Sequence, residues 1–468
     1  MSKSTEHIAA TGFTSQEIRG EARGMFRLAL PVVLAQLSQM SMGFIDTFMV
    51  ADLGPNALAG VGAGNVIYFF YVVFAFGTLA AVSPMVAHAY GAGDDVEIGR
   101  SVAQGLWLAT ILAALGMVIA FNVEPILLLF GQEPEVARLG GEYTSAMCWG
   151  LLANLWFSVY RGFCDAVNRT RVAMVISFAA VGLNIVADYG LIYGNFGLPA
   201  FGAVGAGWAT AIVRWFMLGL LLVYIYRTEE FRKYRFLYRA RILRPRYLGQ
   251  MLRLGLPIGA THSMEHGAFG VASLLMGTIS TVALAAHQVS IMLAAIAFMV
   301  PMGTSFAITA RVGQAIGRGD PRQAALAGWV GIVMGTLFMC TTAVLFMSFP
   351  HLLARVFTQD PPVVELATGF LVMAGIFQVS DGIQVLAIGA LRGMKDTMRP
   401  MITNLVSYWL IGIPAGYLLA FEGGLQGVGL WWGLVIGLSI AAIMHTLRFR
   451  KLIGHSASMP GITAPDQT

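Results

Sequence analysis

The sequence predicts an all-α integral membrane protein with twelve transmembrane helices arranged as two parallel six-helix repeats. Three observations lead to this prediction. Of the 468 residues, 57% are hydrophobic and only 11% are charged, whereas soluble domains carry about 25% charged residues. The chain divides into twelve apolar stretches that each reach the roughly 20 residues needed to cross a bilayer. The sequence of the first half returns in the second half at a nearly constant offset.

The repeat is visible in matching segments that lie 226 residues apart, as from residue 25 to residue 251. Met25–Pro31 matches Met251–Pro257, and Ala89–Asp94 matches Ala315–Asp320. A shared register over more than a hundred residues indicates two copies of one structural unit. The predicted segments are a polar tail at 1–24, an N-lobe at 25–226, a basic joining loop at 227–250, a C-lobe at 251–448 and a second tail at 449–468.

Each half contains six apolar spans, and an even number brings both halves into the membrane from the same side. The approximate spans of the N-lobe are 27–50, 57–88, 99–122, 136–160, 171–193 and 203–226. Those of the C-lobe are 254–277, 283–312, 323–348, 363–390, 400–420 and 427–447. Glycine, with 55 residues in all, suits the close packing of helices in lipid.

Basic residues set the predicted orientation, because Lys and Arg accumulate in cytoplasmic loops. With a cytoplasmic N-terminus, the cytoplasmic segments hold 26 of the 29 Lys and Arg residues, nine of them from Arg227 to Arg253. Only Arg138 and Arg355 fall outside, and Arg214 lies within a span. We therefore expect both termini in the cytoplasm. The net charge of +5 fits an anionic lipid surface and needs no nucleic acid as a partner.

Acidic residues within the spans are the main functional signal, because a charge in lipid is costly unless it is paired or faces water. Glu265 and Asp381 lie about 18 and 16 Å from the nearest cytoplasmic arginine at 1.5 Å per helical residue. We expect these two carboxylates to face each other in the C-lobe.

A second polar cluster is predicted in the N-lobe, nearer the outside. Asp46 and Asp188 lie at depths of about 28 and 26 Å by the same helical rise. Asn184 is one turn from Asp188 on the same helical face, and Thr210 reaches a similar depth. None of the four intramembrane acids has an acidic residue at the equivalent position of the other repeat, which favours a function over a scaffold role. The alternative is a buried carboxyl group capped by hydroxyls.

Other polar and aromatic residues are weaker candidates for the wall of a substrate cavity. They are Gln39, Tyr68, His262, His266, Phe377 and Gln288. His262 either shares a proton with Glu265 or packs with a satisfied ring, and both alternatives stay open. Arg214 either neutralises Asp188 or extends towards the membrane surface. His287 is expected to be structural. No phosphate-binding loop, nucleophile–base arrangement or zinc-ligand spacing is present in the sequence, so we expect neither an enzyme nor a resident cofactor.

Several segments resemble the multidrug and toxic compound extrusion (MATE) family. They are Leu30-Pro31 followed by Gly43–Thr47, Ala92–Asp94, Ile388–Gly393 with Asp396-Thr397, and Gly427–Trp431. Glu265 in the seventh span and Asp381 in the tenth resemble the NorM branch of that family. The resemblance covers roughly residues 20–450.

The resemblance implies an antiporter of the bacterial inner membrane that expels small-molecule drugs, mostly organic cations, in exchange for H⁺ or Na⁺. It implies two six-helix bundles around a central V-shaped cavity, and we expect a monomer. Asp46, Asn184 and Asp188 match a cation or proton site of the N-lobe, while Glu265 and Asp381 match a possible Na⁺ site of the C-lobe. NorM relatives can carry a tyrosine one turn before the acid of the tenth helix; here that residue is Phe377, which lacks the hydroxyl.

We favour H⁺ as the coupling ion, with Na⁺ as the competitor. Burial and a neighbouring carboxylate both favour the protonated form of a carboxyl group, and Phe377 removes one oxygen ligand. Against this, Asn184, Thr210 and two carboxylates offer the hard oxygens that Na⁺ prefers. The alternative function is a flippase of lipid-linked saccharides from the same broad superfamily, which would need a cationic rather than an acidic cavity.

Overall fold

The computed structural model describes residues 13–456, and within that range every regular element is helical. This confirms the all-α prediction. The helices of the first half are α1 (Ser15–Ala51), α2 (Pro55–Leu79), α3 (Val82–Ala92), α4 (Asp95–Phe121), α5 (Val123–Leu129), α6 (Pro134–Met147), α7 (Leu151–Ala166), α8 (Arg171–Tyr193), α9 (Ala203–Arg227) and α10 (Phe236–Ala240). Those of the second half are α11 (Pro245–Ile279), α12 (Thr281–Gly317), α13 (Pro321–Ser348), α14 (Pro350–Phe357), α15 (Pro361–Gly393), α16 (Met398–Asn404), α17 (Ile413–Tyr417) and α18 (Gln426–Ser456).

In both repeats, a glycine turn followed by an aspartate N-cap connects two successive helices. Gly93 and Gly319 both adopt φ of 73°, a left-handed conformation that glycine takes without steric cost. The next residue caps the following helix in each case, because Asp94 accepts from the backbone N–H of Glu97 and Asp320 accepts from that of Gln323, both over 2.9 Å. The glycines therefore form tight turns between helices, and the duplication extends to local geometry.

Ten helical segments of the described chain are long and apolar enough to cross a membrane. Helices are also present at the two remaining predicted spans, but neither belongs to this set. The span at 136–160 is divided by a 3₁₀ turn at Cys148–Gly150 into pieces of 14 and 16 residues. The span at 254–277 lies in α11, whose middle carries two histidines and a glutamate. The count of twelve crossings stays a prediction.

Several predicted boundaries differ from the structure. Residues 15–24, assigned to a polar tail, already belong to α1. The span at 57–88 is two helices, α2 and α3, separated by a turn at Ala80–Ala81. The eleventh predicted span, 400–420, is not a continuous α-helix. A π-helical stretch at Leu405–Gly412 joins α16 to α17, and a second π-helical stretch at Leu418–Glu422 follows α17. Such stretches are uncommon and are often found at functional sites.

The described chain forms two compact units, which we call unit N and unit C. Unit N comprises 34–86 and 94–260, and unit C comprises 13–33, 87–93 and 261–456. Relative to the predicted lobes, 25–33 and 87–93 belong to unit C, whereas 251–260 belongs to unit N. The predicted lobe limits stay a prediction. Segment 13–33 belongs to unit C through the buried side chain of Met25 and through ion pairs of Glu17 with Arg322 and of Glu21 with Arg311.

Large apolar side chains remain exposed along the outer faces of the helices. Phe48, Val66 and Leu274 each expose more than 70% of their surface. A water-soluble chain rarely leaves so much apolar surface uncovered, so these faces are suited to contact with lipid. A smaller set of polar side chains is buried in the interior of each unit, and the two candidate sites lie there.

Candidate functional site

Unit N contains the first of two buried acid clusters, here called cluster N: Asp46, Asn184, Asp188 and Thr210. The side-chain nitrogen of Asn184 donates to Oδ1 of Asp46 and to Oδ2 of Asp188, each over 2.9 Å. Thr210 donates its hydroxyl to Oδ2 of Asp46 over 3.3 Å. Asn184 and Asp188 are placed on one face of α8 by their i, i+4 spacing. All four residues of the predicted N-lobe set are thus brought together.

Cluster N retains buried oxygens that could receive a ligand. Asp188 and Asn184 are essentially inaccessible to solvent. Oδ1 of each has no hydrogen-bond partner within residues 13–456. Because a buried polar atom without a partner costs free energy, these two oxygens are available to a proton or a cation. The carboxyl groups of Asp46 and Asp188 also interact electrostatically, and both accept from the same amide nitrogen of Asn184.

Arg214 carries a positive charge that interacts with cluster N. The sequence left open whether it neutralises Asp188 or extends towards the membrane surface. It lies in α9 one turn after Thr210, is partly buried, and interacts electrostatically with Asp46, Tyr68 and Tyr143. It forms no ion pair within 4.0 Å in the described part of the chain. Arg214 therefore interacts with Asp46 through charge and without a direct ion pair.

Unit C contains the second cluster, cluster C: Glu265, Asp381, His262 and Arg392. Glu265 in α11 and Asp381 in α15 are both buried and interact electrostatically, so the structure brings the predicted pair together. Nδ1 of His262 lies 3.9 Å from Oε2 of Glu265. Arg392 is 5% exposed, interacts electrostatically with Glu265, and donates from Nη2 to Nε2 of His262 over 2.9 Å.

A small cavity adjoins cluster C, with Glu265 in its wall. The remainder of the wall is largely apolar and rich in glycine. It consists of Ala268, Phe269, Tyr408, Gly412, Ile413, Gly433, Leu434, Gly437 and Leu438.

The predicted cavity residues are dispersed. Tyr68 is buried beside Arg214, and Gln39 is half-buried two turns before Asp46. His262 belongs to cluster C, as described above. His266 and Gln288 are exposed, and the ring nitrogen Nδ1 of His266 lies 2.9 Å from the carbonyl oxygen of His262.

Phe377 and His287 lie in the apolar core of unit C. Phe377 is 1% exposed and contacts Phe269 and Trp431 edge-to-face at 5.8 and 5.6 Å between ring centroids. His287 is buried against Trp431, with its Nε2 at 3.1 Å from the Ser273 hydroxyl. The structural role predicted for His287 agrees with these contacts, while the role of Phe377 in a cavity stays a prediction.

Four residues in or beside cluster C were not predicted from the sequence: Arg392, described above, and Tyr408, Gln378 and Gln384. Tyr408 is buried, lines the cavity, and interacts electrostatically with Glu265 and Asp381. Gln378 and Gln384 lie within one turn of Asp381 on α15, and their buried amide atoms have no partner within residues 13–456. The signal was present for the glutamines, since polar residues at i−3 and i+3 of an intramembrane acid share its face.

In the described residues, no group of three or more His, Cys, Asp or Glu side chains is arranged to hold a metal ion. Cluster C combines two carboxyl groups with His262 and Arg392, whereas cluster N combines two carboxyl groups with the neutral oxygens of Asn184 and Thr210. This donor set suits a hard monovalent cation or a proton better than a transition metal.

A family model and curated relatives of known sequence both assign this chain to the same family. A model of the MatE family matches residues 31–190 and 257–418, one stretch in each repeat. The chain is 39% identical over 445 residues to a probable multidrug resistance protein NorM of Pseudomonas putida, covering 93% of this chain and 96% of that protein. It is 38% identical to the multidrug resistance protein PmpM of Pseudomonas aeruginosa, covering 93% and 92% of the two chains.

Solved structures share the fold at low sequence identity. The eukaryotic MATE transporter AtDTX14 superposes with a TM-score of 0.84 at 22% identity, covering 94% of this chain and 99% of that one. A mutant of the Vibrio cholerae MATE transporter VcmN gives a TM-score of 0.86 at 19% identity, covering 94% and 98%. At such identities the likeness concerns the fold alone.

Proposed function

Because the chain belongs to the MatE family, we propose that it is a multidrug efflux antiporter that exports organic, mostly cationic, compounds in exchange for H⁺ or Na⁺. The observation that carries the proposal is the presence, in each unit, of two carboxyl groups inside an apolar helical interior. The relatives named above are themselves called multidrug resistance proteins.

The chemistry of the clusters supports cation exchange. A cation leaving water for a low-dielectric interior needs a negatively charged partner. If one cluster can bind either the coupling ion or a cationic drug, but not both, binding of the ion releases the drug and binding of the drug releases the ion. The two cations are then exchanged across the membrane. Entry of one cation down a potential of 100 mV supplies about 2.3 kcal/mol, to which its concentration gradient adds.

We assign proton coupling to cluster N. The two hydrogen bonds by which Asn184 joins Asp46 and Asp188 support this assignment, because two ionised carboxylates held beside one donor repel each other, whereas a proton on one of them removes that repulsion. Removal of that proton would separate the two side chains and loosen the contact between α1 and α8. Asn184, which donates to both carboxyl groups, would then stabilise the ionised state.

We place the protein in a bacterial inner membrane as a monomer, with both termini in the cytoplasm and alternating access to its sites. The bacterial relatives and the distribution of Lys and Arg support this placement. A lipid-linked saccharide flippase is disfavoured, because phosphate recognition requires exposed cationic groups. The intramembrane arginines Arg214 and Arg392 instead interact with acids of the clusters.

The test is efflux of a fluorescent organic cation from pump-deficient cells and from proteoliposomes. We expect wild-type protein to accelerate efflux when a pH gradient or a Na⁺ gradient is imposed. Efflux equal to that of empty vesicles under both gradients would refute the proposed function. Efflux of anionic lipid-linked sugars instead would establish the alternative.

A further inference from the structure

The basic joining loop is folded against α4. The buried amide of Gln104 donates to the carbonyl oxygen of Ile242 over 2.8 Å and accepts from the backbone N–H of Arg244 over 2.9 Å. One turn later on α4, the indole N–H of Trp107 donates to the carbonyl oxygen of Ala240 over 2.8 Å. Because these bonds satisfy backbone groups that lie outside any long helix, they hold the backbone of the loop on unit N.

Two aromatic side chains also anchor the loop. The ring of Phe236 is buried and meets that of Phe163 edge-to-face at 5.0 Å between ring centroids. Tyr247, which is also buried, donates its hydroxyl hydrogen to Glu97 over 2.5 Å and accepts from Ser101 over 2.6 Å. These contacts engage the inner side of the loop with unit N, so its exposed side chains belong to the outer side.

The outer side of the loop combines apolar and basic side chains, and we call it the joining face. It consists of Leu237, Arg241, Ile242, Leu243, Arg244 and Arg246. The three apolar side chains are 63%, 61% and 41% exposed. None of the three arginines forms an ion pair within 4.0 Å in the part of the chain that the structure describes, and the sequence from 231 to 264 contains no acidic residue. The joining face thus carries uncompensated positive charge beside uncovered apolar surface.

The position of the joining face relative to the membrane follows from α4. That helix carries no charged residue after Arg100, and its exposed side chains beyond Trp107 are apolar, as at Ile111 and Leu115. Trp107, a residue type enriched at the membrane–water interface, therefore marks the border between the polar and the lipid-facing parts of α4. Since the indole N–H of Trp107 bonds the loop, we expect the joining face at the level of the lipid headgroups.

A surface of this composition is suited to an anionic bilayer. Protein segments that lie on membranes combine Lys or Arg with large apolar residues, which are buried at the boundary between headgroups and acyl chains. The arginine guanidinium forms paired hydrogen bonds with phosphate oxygens. A dissolved polyanion would engage the arginines but would leave the apolar side chains in water, so the combination favours a lipid.

We propose that the joining face binds the headgroups of anionic phospholipids, with its arginines on the phosphates and its leucine and isoleucine side chains among the upper parts of the acyl chains. The net charge of the whole chain indicates only a general attraction to anionic lipid, whereas this face is a defined site on unit N. The inference does not depend on the proposed function, since lipid binding here requires neither a drug nor a coupling ion.

The experiment measures local lipid enrichment in vesicles that contain the full-length protein. In protein whose three cysteines are replaced by serine, Leu243→Cys carries a bimane fluorophore. Nitroxide-labelled phosphatidylglycerol or phosphatidylcholine is titrated as the quencher. We expect half-maximal quenching by the anionic lipid at about tenfold lower mole fraction, because arginines near the headgroups attract it. This preference should shrink at about 1 M NaCl, where the screening length falls to about 3 Å.

Charge variants locate the preference on the joining face. Arg241→Gln/Arg244→Gln should remove most of it, whereas Arg450→Gln/Lys451→Gln, which removes the same charge from an exposed site near the end of α18, should keep it. Apparent melting temperatures check that both variants are folded. Equal quenching by the two lipids, or an unchanged preference in Arg241→Gln/Arg244→Gln, would overturn the inference. A bimane response to a dissolved oligonucleotide, with no quenching by either lipid, would overturn it in favour of a soluble polyanion.

Discussion

Arg392 donates a hydrogen bond to Nε2 of His262 over 2.9 Å, and this contact fixes the state of the histidine. A guanidinium has no acceptor atom, so Nε2 must accept and the ring hydrogen is on Nδ1. That nitrogen faces Oε2 of Glu265 at 3.9 Å. The basic residue at the end of α15 thus directs an N–H towards a carboxylate on α11.

The first prediction concerns this contact. His262→Leu should lower the free energy of unfolding by about 1–3 kcal/mol, because it leaves a buried N–H of Arg392 without an acceptor. His262→Gln, which keeps an acceptor, should lose less. Thermal unfolding in detergent compares the two variants with the wild type. Equal stability of the leucine and glutamine variants would contradict the assigned tautomer.

The second prediction concerns the charges of cluster C. Glu265→Gln and Asp381→Asn should reduce coupled efflux roughly a hundredfold, since one unit of charge near a bound cation is worth about 3 kcal/mol. Each amide fills the same volume, so folded protein should persist in the membrane. Glu422→Gln, at an exposed end of the same unit, is the control and should transport normally. Wild-type efflux by the double amide variant would rule out this role.

The third prediction concerns proton coupling through cluster N. In proteoliposomes at matched membrane potential, a pH step should drive drug exchange, with drug leaving as protons enter from the more acidic side. Asp46→Asn should abolish this response because the amide cannot bind and release a proton. Asp52→Asn, an exposed acid at the end of the same segment that pairs with Tyr193 over 3.1 Å, should respond normally. Exchange driven by Na⁺ alone and indifferent to pH would show that H⁺ is the wrong ion.

The fourth prediction concerns topology. In protein whose three cysteines are replaced by serine, Tyr238→Cys should react with an impermeant maleimide only after the cytoplasmic side is opened. Tyr238 lies in the basic joining loop and is 66% exposed. Phe130→Cys, at a turn that is 75% exposed and predicted to be external, should react in intact cells. Interchanged labelling would reverse the orientation.

The fifth prediction concerns close packing beside the cavity. A Cβ at Gly433 would lie 2.4 Å from Cα of Gly416 and 2.6 Å from the carbonyl oxygen of Gly412. Gly433→Ala should therefore destabilise the protein by roughly 1–3 kcal/mol. A Cβ at Gly182, in α8, meets nothing within 4 Å, so Gly182→Ala should be neutral or stabilise the helix. Apparent melting temperatures would decide, and a harmless Gly433→Ala would show that the helices can separate at no cost.

Much of the fold was predictable because apolar spans and a sequence repeat report directly on helices in lipid. The clustering of Asp46 with Asn184, Asp188 and Thr210 was also predictable, since the rise per residue fixes the depth of each side chain. Rotation about a helix axis is not fixed in this way. For that reason the sequence left open whether Arg214 faces Asp188, and only the structure places it near Asp46.

The position of Tyr408 in the cavity wall with Glu265 could not be predicted from the sequence, for a different reason. An aromatic residue in an apolar run is usually packing, and the segment 405–412 does not follow the α-helical period. A prediction of facing side chains that assumes 3.6 residues per turn therefore fails there. Arg392 was likewise used only as a marker of the membrane surface, although its side chain is buried beside Glu265.

The π-helical stretch at Leu405–Gly412 also has a consequence for sequence comparison. Each π turn accommodates about one more residue than the α turn it replaces, so the stretch behaves as an insertion absorbed within a helix. A relative lacking one residue here would close an ordinary α turn and keep the directions of the flanking segments. We therefore expect one-residue gaps to collect within 405–412 in aligned relatives, and the side chain opposite Glu265 to change with each gap.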